Sequence, residues 1–468
     1  MMSQNIRPKP KIECALDKDF RPASLENRVF LKAVEESKEG VPLAIAMERG
    51  DGLISTYYTK VFPDSSPSSR LNYLYVERLV KTLLWVRGGW KITIGGPASI
   101  GSYIKKAYSE GGIREFDWKF MGNVYEKPFT VEITEYDKVP AEKEKSKPVG
   151  RHMDGCRIGF DAGGSDRKVS AVIDGEAVFS EEVIWHPKLN SDPDYHYNEI
   201  LAAMKSAAAH MPRVDAIGVS SAGIYINNRV KVASLFIKVP EDLFEKKVKN
   251  IYINIAKEIG DVPIEVANDG DVTALAGAME IGDNSVLGIA MGTSEAGGYV
   301  DSRGNITGWL NELAFVPVDY NSLAMVDEWS GDYGCGVKYF SQDAVIKLAP
   351  AAGIQLDDAL TPAEKLKYVQ ELMVKGDDRA VKIFETIGCY LGYAMAHYAD
   401  FYDYRHLLVL GRVTSGEGGN IIVDIARKVL KAEFPELAEK VKMHLPDEAS
   451  RRVGQSVAAA SLPEIKKK

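Results

Sequence analysis

The sequence lacks the features that would place a protein in a membrane, outside the cell or on nucleic acid. No run of apolar residues approaches the roughly 18 needed to cross a bilayer. The polar start, MMSQNIRPKPKIE, has no apolar core like that of a signal peptide. A net charge of −8 argues against nucleic acid as the main partner. We therefore expect a cytoplasmic protein that binds neither membranes nor nucleic acid.

Cysteine is also scarce. The four cysteines, Cys14, Cys156, Cys335 and Cys389, are scattered without a CxxC pair. This spacing is typical neither of a disulfide framework nor of a zinc cluster, and it favours a reducing compartment. We therefore expect no disulfide framework and no zinc site built from cysteines.

The chain is long enough, at 468 residues, for two or three domains. Residues 1–150 hold 24 Lys and Arg against 20 Asp and Glu, whereas the remainder holds 34 against 46. The polar stretch DKVPAEKEKSKPVGRHMD, residues 137–154, carries two prolines and is typical of a linker. We predict an N-terminal accessory domain at 1–140, a linker at 141–154, and two further domains at 155–285 and 286–468.

The domain at 155–285 begins with a strand at 156–160, a turn at Asp161–Ser165 and a strand at 168–174. A third strand follows the Asp174-Gly175 hairpin signal, and helices then alternate with strands. This order indicates an α/β domain with a mixed sheet. The last domain repeats the order strand, Gly-rich turn, strand. Two matching halves that face each other would be able to bind one polyphosphate between their two hairpins.

The N-terminal domain carries a weaker version of the same order. Residues 42–62 read as strand, turn and strand, a helix follows, and KITIGGPAS (91–99) parallels AIGVSSAGI (216–224). Met47 and Glu48 occupy the place of Asp161. We interpret the domain as a degenerate half-repeat without chemistry of its own. The alternative is an unrelated α+β accessory domain.

The turn Asp161-Ala-Gly-Gly-Ser165 has the composition of a phosphate site. Successive backbone N–H groups in a tight glycine turn bind anions, and β-carbons at Gly163 and Gly164 would block close approach. Ser165 adds a donor, and Asp161 would hold Mg²⁺ through the water molecules that this ion retains. Taken alone, however, such a string is more often a simple hairpin.

The stretch EVANDGDVTALAGAMEIG, residues 265–282, places acidic residues where a strand passes into a helix. Asp271 is able to cap that helix. Asp269 is then left at the carboxyl end of a strand, where ligands bind in α/β proteins. A carboxylate there would accept the proton of a hydroxyl that attacks phosphorus. A structural acid at the strand end is an equally good interpretation of this motif alone.

Several of these stretches, taken in order, resemble the ROK family of the hexokinase/actin-like ATPase superfamily over residues 156–460. FDAGGS is similar to its first phosphate motif, AIGVSSAG to its sugar-side segment, and NDGDVTALAGA to its catalytic helix. GIAMGTSEAGGYVDSRGNITG is similar to its second phosphate motif and NELAF to its sugar-binding segment. HLLVLGRV is similar to the strand before its adenosine loop.

The resemblance implies a two-lobed, ribonuclease H-like α/β fold and an ATP-dependent sugar kinase acting on a hexose or N-acetylhexosamine. It implies Asp269 as general base, with ATP and Mg²⁺ as cosubstrate and metal, and a homodimer. The sugar would be bound by Asn268, Glu312 and Gly223. The nucleotide and its phosphates would be bound by Asp161, Gly163, Gly164, Ser165, Gly292, Thr293, Gly411, Thr414 and Ser415.

The sequence also departs from the family pattern. Phe315 stands where the family has a zinc-binding and sugar-contacting His, and only Cys335 remains of its Cys cluster. Because structural zinc needs four ligands, we expect no zinc. A catalytically inactive, sugar-binding regulator is therefore one alternative, and an ATPase acting on a protein partner is another. The balanced charge of residues 1–150 argues against a DNA-binding domain.

Overall fold

The computed structural model describes residues 8–144, 149–446 and 448–465. The described part of the N-terminal domain folds around a four-stranded sheet of order β2-β1-β3-β4. Twelve consecutive residues of its second helix, from Tyr75 to Val86, are buried, so this helix lies inside the molecule. The elements are α1 (Ala23–Ser37), β1 (Val41–Glu48), β2 (Ile54–Val61), α2 (Leu71–Arg87), β3 (Lys91–Gly95), α3 (Ala98–Ala107), α4 (Glu115–Tyr125) and β4 (Thr130–Thr134).

The first lobe contains a five-stranded mixed sheet of order β11-β8-β5-β6-β7, as the sequence predicts. β5 pairs antiparallel with β6 and parallel with β8. The elements are β5 (Cys156–Ala162), β6 (Asp166–Ile173), β7 (Glu176–Ile184), α5 (Pro193–Ala208), β8 (Ala216–Ser221), β9 (Ile224–Ile226), β10 (Arg229–Val232), α6 (Glu241–Leu243), α7 (Ile251–Ile259), β11 (Ile264–Asn268) and α8 (Asp269–Ile281).

The second lobe repeats this topology in a sheet of order β13-β12-β14-β15. β12 pairs antiparallel with β13 and parallel with β14, as β5 does with β6 and β8. The last helix, α14, returns to the first lobe and packs on β5, β8 and α8. The elements are β12 (Val286–Met291), β13 (Glu295–Val300), α9 (Gln342–Leu348), α10 (Pro362–Val374), α11 (Asp378–Tyr398), β14 (His406–Leu410), α12 (Glu417–Glu433), α13 (Pro435–Lys440), β15 (Lys442–His444) and α14 (Glu448–Ala460).

The N-terminal sheet differs from the two lobe sheets at one decisive pair. β1 and β3 are antiparallel, whereas the equivalent strands β5 and β8 of the first lobe are parallel. A degenerate copy of the lobe would keep the parallel pair, because strand direction follows from the crossover between them. The topology therefore favours the alternative interpretation, an unrelated α+β accessory domain.

The N-terminal domain and the second lobe share one hydrophobic core, whereas the first lobe has a core of its own. Charges are buried at the shared interface as well. Asp332 of the second lobe lies 2.8, 2.7 and 2.8 Å from Arg78, Lys81 and Arg114 of the N-terminal domain. Glu77 and Asp117 complete this buried ion cluster, which holds three charges of each sign.

A disulfide between Cys14 and Cys389 joins the start of the described chain to α11. This corrects the expectation of four reduced, scattered cysteines. No local pattern indicates this bond, because the two residues are 375 positions apart. The prediction of a reducing compartment depended on the scattered spacing of the four cysteines, so the disulfide removes its basis.

The described residues of the predicted linker at 141–154 form backbone hydrogen bonds to the N-terminal domain at one end and to the residues at the end of α14 at the other. Lys143 pairs with Ile54 of β2, and Gly150 and His152 donate backbone hydrogen bonds to Leu462 and Ser461. Residues 145–148 lie outside the described part. None of the described helices is both long enough and apolar enough to span a bilayer.

Candidate active site

The predicted phosphate turn of the first lobe connects β5 to β6, and Asp161 lies within β5 rather than in the turn. Its carboxylate accepts a hydrogen bond of 2.8 Å from the Ser220 hydroxyl and lies 3.9 Å from the Lys168 ammonium. Burial raises the pKa of Asp161 to about 6, although the hydroxyl and the lysine act against this shift. The residues Gly164 and Ser165 are exposed, so a ligand has access to the turn.

Lys188 lies beside this turn, a placement that the sequence did not reveal. A β-carbon on Gly164 would be 3.2 Å from the Lys188 ammonium nitrogen. The Lys188 charge also lowers the pKa of Asp269. A cation in this position is suited to the charge of a phosphate between the turn and Asp269.

Asp269 is the first residue of α8 and directly follows β11. Small residues bring this helix close to the second lobe, because a β-carbon on Gly298 would be only 2.0 Å from the Gly270 carbonyl oxygen. Burial raises the pKa of Asp269, and a hydrogen bond of 3.0 Å from the Gly270 N–H acts in the opposite direction. A carboxylate with a raised pKa at the junction of two lobes fits the task of a general base.

The sequence suggested Asp271 as the cap of α8, but the structure shows that the cap is Asn268. The Asn268 side-chain oxygen accepts the Gly270 N–H at 2.8 Å, and its amide donates to the Gly223 carbonyl at 2.8 Å. The structure thus brings together two residues predicted to bind sugar. Gly223 has no room for a side chain, since a β-carbon would be 2.3 Å from the Val232 carbonyl oxygen.

Asp271 instead connects α8 to the second lobe. One of its carboxylate oxygens accepts the Tyr299 backbone N–H at 3.0 Å and the Asn311 amide at 2.8 Å. The residue is 4% exposed, and burial raises its pKa to about 7. Asp271 is therefore a structural acid whose substitution would disturb the site.

A side chain from the end of the protein links the two predicted acids of the first lobe. The Gln455 amide of α14 lies 3.1 Å from the Ser220 hydroxyl oxygen and 3.5 Å from the Asp269 carbonyl oxygen. Ser220 in turn donates to Asp161, so one chain of polar groups runs from the Asp161 carboxylate to the backbone of Asp269. Periodicity within α14 gives no signal for this role, because it depends on the helix returning to the first lobe.

Glu312 is positioned by the N-terminal domain. Its backbone N–H donates to the Trp85 carbonyl oxygen at 3.1 Å, and the Asn311 N–H donates to Val86 at 3.1 Å. Burial raises the pKa of Glu312 to about 7, and the Asp269 charge adds to the shift. Glu312 thus interacts electrostatically with Asp269, and its role in binding sugar stays a prediction.

Glu295 is a further buried acid that the sequence did not single out. It is 3% exposed, and one carboxylate oxygen has no hydrogen-bond partner. Burial raises its pKa to about 8 despite the Tyr398 hydroxyl, which lies 3.3 Å from its other oxygen. The Glu312 charge adds to this upward shift of the Glu295 pKa.

The second-lobe residues predicted to bind nucleotide lie around the ends of β12 and β14. Thr293 is exposed at the turn after β12, next to Gly292. Gly411 has a φ of 105° and packs on the Met291 backbone, where a β-carbon would be 2.4 Å from the carbonyl oxygen. Thr414 is buried and donates its hydroxyl hydrogen to Gly411, so it shapes the loop, and Ser415 follows it.

Phe315 lies in the hydrophobic core that the second lobe shares with the N-terminal domain. Its ring stacks on Trp85 with centroids 4.1 Å apart, and Trp329 is 5.9 Å away. Cys335 is fully buried, with its sulfur 3.9 Å from a carboxylate oxygen of Asp332. No group of three or more acids, histidines and cysteines within the described ranges is arranged to hold a metal ion. The absence of zinc stays a prediction.

A cleft of about 200 Å³ opens beside Asn268 and Gly223, where the N-terminal domain and both lobes meet. The first lobe contributes Asn268 and Gly223, and the N-terminal domain contributes the loop from Arg49 to Leu53 together with Tyr125. The second lobe contributes Ile306–Leu310. Of the three residues predicted to bind sugar, Asn268 and Gly223 line this cavity, to which three parts of the chain contribute, whereas Glu312 is not among its lining residues.

Neither a family model nor a curated protein sequence matches the chain. Solved structures do. A ROK hexokinase from Thermus thermophilus superposes with a TM-score of 0.51 at 17% identity, covering 66% of this chain and 97% of the hexokinase. A ROK family transcriptional regulator, described as a homologue of the E. coli MLC protein, also has a TM-score of 0.51, at 16% identity, covering 66% of this chain and 79% of the regulator.

The similarity thus extends over two thirds of the chain and nearly all of a hexokinase, and it agrees with the duplicated sheet topology and the central position of α8. It is as close to a regulator as to an enzyme, so it concerns architecture and leaves the activity to the site itself. The chain has the two-lobed, actin-like ATPase fold of the ROK sugar kinases and regulators, with an additional N-terminal domain built onto its second lobe.

Proposed function

We propose that the protein is an ATP-dependent sugar kinase and a member of the ROK family, with Asp269 as the general base. The observation that carries the proposal is the buried Asp269 carboxylate at the junction of the two lobes, whose pKa burial raises and which interacts electrostatically with Lys188 and Glu312. One neighbour is suited to phosphate and the other to sugar hydroxyls. A structural acid at a strand end would need neither of them.

In the proposed reaction, a sugar hydroxyl lies against Asp269, and the γ-phosphate of ATP lies between the turn at Gly163–Ser165 and Asp269, with Lys188 beside it. As the hydroxyl oxygen forms its bond to phosphorus, its proton passes to the Asp269 carboxylate. The bond from the γ-phosphorus to the bridging oxygen breaks, and ADP leaves with that electron pair. Glu312 orients the sugar by accepting hydrogen bonds from other hydroxyls.

The Mg²⁺ that accompanies ATP would be held through water by Asp161. This carboxylate fits the role, since it is fixed by Ser220 and balanced by a single lysine at 3.9 Å. When bound, the ion neutralises charge on the phosphates. Asp161 holds the ion's water shell, and Gln455 keeps Asp161 and Asp269 in a fixed relation through Ser220.

A non-catalytic, sugar-binding regulator is the second candidate. It is favoured by Phe315, which packs on Trp85 in the place where the resemblance implies a residue that contacts sugar. The two candidates share a sugar site and differ in turnover. Homodimer formation and a cytoplasmic location stay predictions for either of them.

The experiment is a coupled ADP-release assay with Mg·ATP across hexoses and N-acetylhexosamines, comparing the wild type with Asp269→Asn. The amide keeps the size of the carboxylate but takes no proton, so we expect kcat to fall about 10²- to 10⁴-fold while sugar affinity is retained. Glu280→Gln is the control, because Glu280 is an exposed acid on the same helix. Sugar binding without turnover in the wild type would favour the regulator, and an equal effect of both substitutions would remove Asp269 as the base.

A further inference from the structure

The N-terminal domain contacts the first lobe through the end of α4, where Glu126 meets a group of cations. Its carboxylate lies 2.8 Å from the Lys231 ammonium and 3.3 Å from the Arg229 guanidinium, and it forms an ion pair with Lys249. Arg229 and Lys231 belong to β10, and Lys249 lies two residues before α7. Glu126 therefore joins the N-terminal domain to β10 and to the residues beside it.

This contact includes a buried charge. The Lys231 side chain is 5% exposed, and Glu126 is the only acid among the described residues that pairs with it. Lys249 also pairs with Glu245, so the group holds three positive and two negative charges. Hydrogen bonds from Lys231 and Lys249 lower the pKa of Glu126 to about 2, so Glu126 is charged at neutral pH. Without that charge, Lys231 would be left buried and without compensation.

The hairpin that Glu126 contacts is attached to the predicted sugar-binding residues of the first lobe. β10 pairs with β9, and Gly223 directly precedes β9. The Gly223 carbonyl oxygen accepts the Asn268 amide at 2.8 Å. In the turn of the hairpin, the Asn228 amide donates to the Ile264 carbonyl oxygen of β11 at 2.9 Å. A contact that fixes β10 therefore also fixes Gly223 and Asn268.

The same domain holds Glu312 of the second lobe. The Glu312 N–H donates to the carbonyl oxygen of Trp85 in α2 at 3.1 Å, and the Trp85 side chain packs on α4. Its indole N–H donates to the buried Asp117 carboxylate at 2.6 Å, and its ring centroid lies 5.1 Å from that of Phe120. Because α2 and α4 are fixed to each other, buried contacts within the N-terminal domain connect Glu312 to Glu126.

We infer that the N-terminal domain is a brace that fixes the predicted sugar-binding residues of one lobe relative to those of the other, with Glu126 as the positioning residue at its first-lobe end. This inference rests on the proposed function, because it concerns the sugar site of that reaction. Glu126 touches no substrate and acts by holding Gly223 and Asn268 at a set distance from Glu312. A sugar that contacts both lobes then binds more tightly, because its partners are already arranged.

The test uses Glu126→Gln, which keeps the size of the side chain and removes its charge. The sugar is whichever of glucose, mannose, galactose and N-acetylglucosamine the wild type phosphorylates fastest in the ADP-release assay. We expect KM for this sugar to rise roughly three- to tenfold, because a smaller fraction of the protein has the arranged site, while kcat changes by less than about twofold. Without sugar, amide hydrogen exchange should become faster in residues 224–232.

Glu115→Gln is the matched control. Glu115 lies on the same helix, and its side chain is 33% exposed against 37% for Glu126, but its partner Lys119 belongs to that helix as well. This variant should leave KM and hydrogen exchange unchanged. Lys231→Met should raise KM in the wild type and leave it unchanged in Glu126→Gln, because the contact is already lost there.

Three results would overturn the brace and leave the kinase proposal intact. They are an unchanged KM or unchanged hydrogen exchange in Glu126→Gln, equal effects of Glu126→Gln and Glu115→Gln, and a further rise in KM when Lys231→Met is added to Glu126→Gln. If no sugar is phosphorylated, the kinase proposal fails, and calorimetric titration with the same four sugars replaces KM. Weaker sugar binding by Glu126→Gln would then support the brace, whereas unchanged binding, or no binding by the wild type, would overturn it.

Discussion

Asp332→Asn removes the only acid that the second lobe contributes to the buried ion cluster at the N-terminal interface. The change keeps the shape of the side chain and takes away one negative charge within 2.8 Å of each of three cations. The cluster would then hold three positive and two negative charges. Asp332 is 5% exposed, and Arg78 and Lys81 are 1% and 0% exposed, so water offers little compensation.

The expected cost follows from this burial. Removing one partner of a buried ion pair typically destabilises a protein by about 3–5 kcal/mol, because the remaining charge is left without compensation. Folded domains are stable by only about 5–15 kcal/mol, so a large share of the stability would be lost. The three cations also hold the pKa of Asp332 well below its usual range, despite its burial. Its contribution is therefore present above pH 4 or so and is lost as the pH falls towards the lower folded pKa.

Urea unfolding measures the effect as a change in midpoint at constant slope. Lys81→Met, combined with Asp332→Asn, provides the internal test because it returns the cluster to two charges of each sign. We expect the double variant to recover a substantial part of the loss, with a coupling energy of about 1–3 kcal/mol. Asp358→Asn, an exposed acid of the second lobe, should change stability by less than about 0.5 kcal/mol.

Two results would refute this reasoning. If Asp332→Asn unfolded within about 0.5 kcal/mol of the wild type, the cluster would have to be hydrated or rearranged in solution. If the single variant were strongly destabilised but the double variant recovered nothing, lost packing and not uncompensated charge would be the cause.

Two further predictions concern the site and the disulfide. Lys188→Met should raise the pKa of Asp269, because the lysine charge lowers that pKa, so the acid limb of the pH profile of kcat/KM should move to higher pH. Lys238→Met is the control, because Lys238 is exposed. An acid limb that does not move would place Lys188 away from the base. Cys14→Ser should destabilise the protein by about 2–4 kcal/mol in urea; four free thiols in the unfolded, unreduced wild type would show that the Cys14–Cys389 bond does not form.

Most of the two-lobed fold could be predicted from local patterns. The glycine turns, the apolar strands and the Asn-Asp junction are each encoded within about 20 residues, and their order along the chain indicated two lobes. The position of Asp269 at the end of β11 followed from the same signals. The sugar-binding role of Glu312 is implied by the family resemblance alone and stays a prediction.

The remaining features depend on contacts between distant segments. Lys188 and Gln455 reach the site from a turn and from the last helix, and neither has a motif that indicates it. Asp271 was expected to cap a helix because acids do so frequently, but Asn268 takes that place and Asp271 faces the second lobe. The buried ion cluster and the disulfide have no sequence signal because their members are separated by up to 375 positions.

The shared core has a consequence for how the protein can be divided. Residues 1–150 resemble a detachable module in composition, yet Trp85 covers Phe315 and the α2 backbone holds Glu312. A chain beginning after the linker would expose that aromatic surface to water. It would also lose the backbone hydrogen bonds that position Glu312, a residue predicted to bind sugar. Truncation at the apparent domain boundary would therefore yield an aggregating fragment rather than a minimal kinase, and the two parts must be inherited, expressed and engineered as one unit.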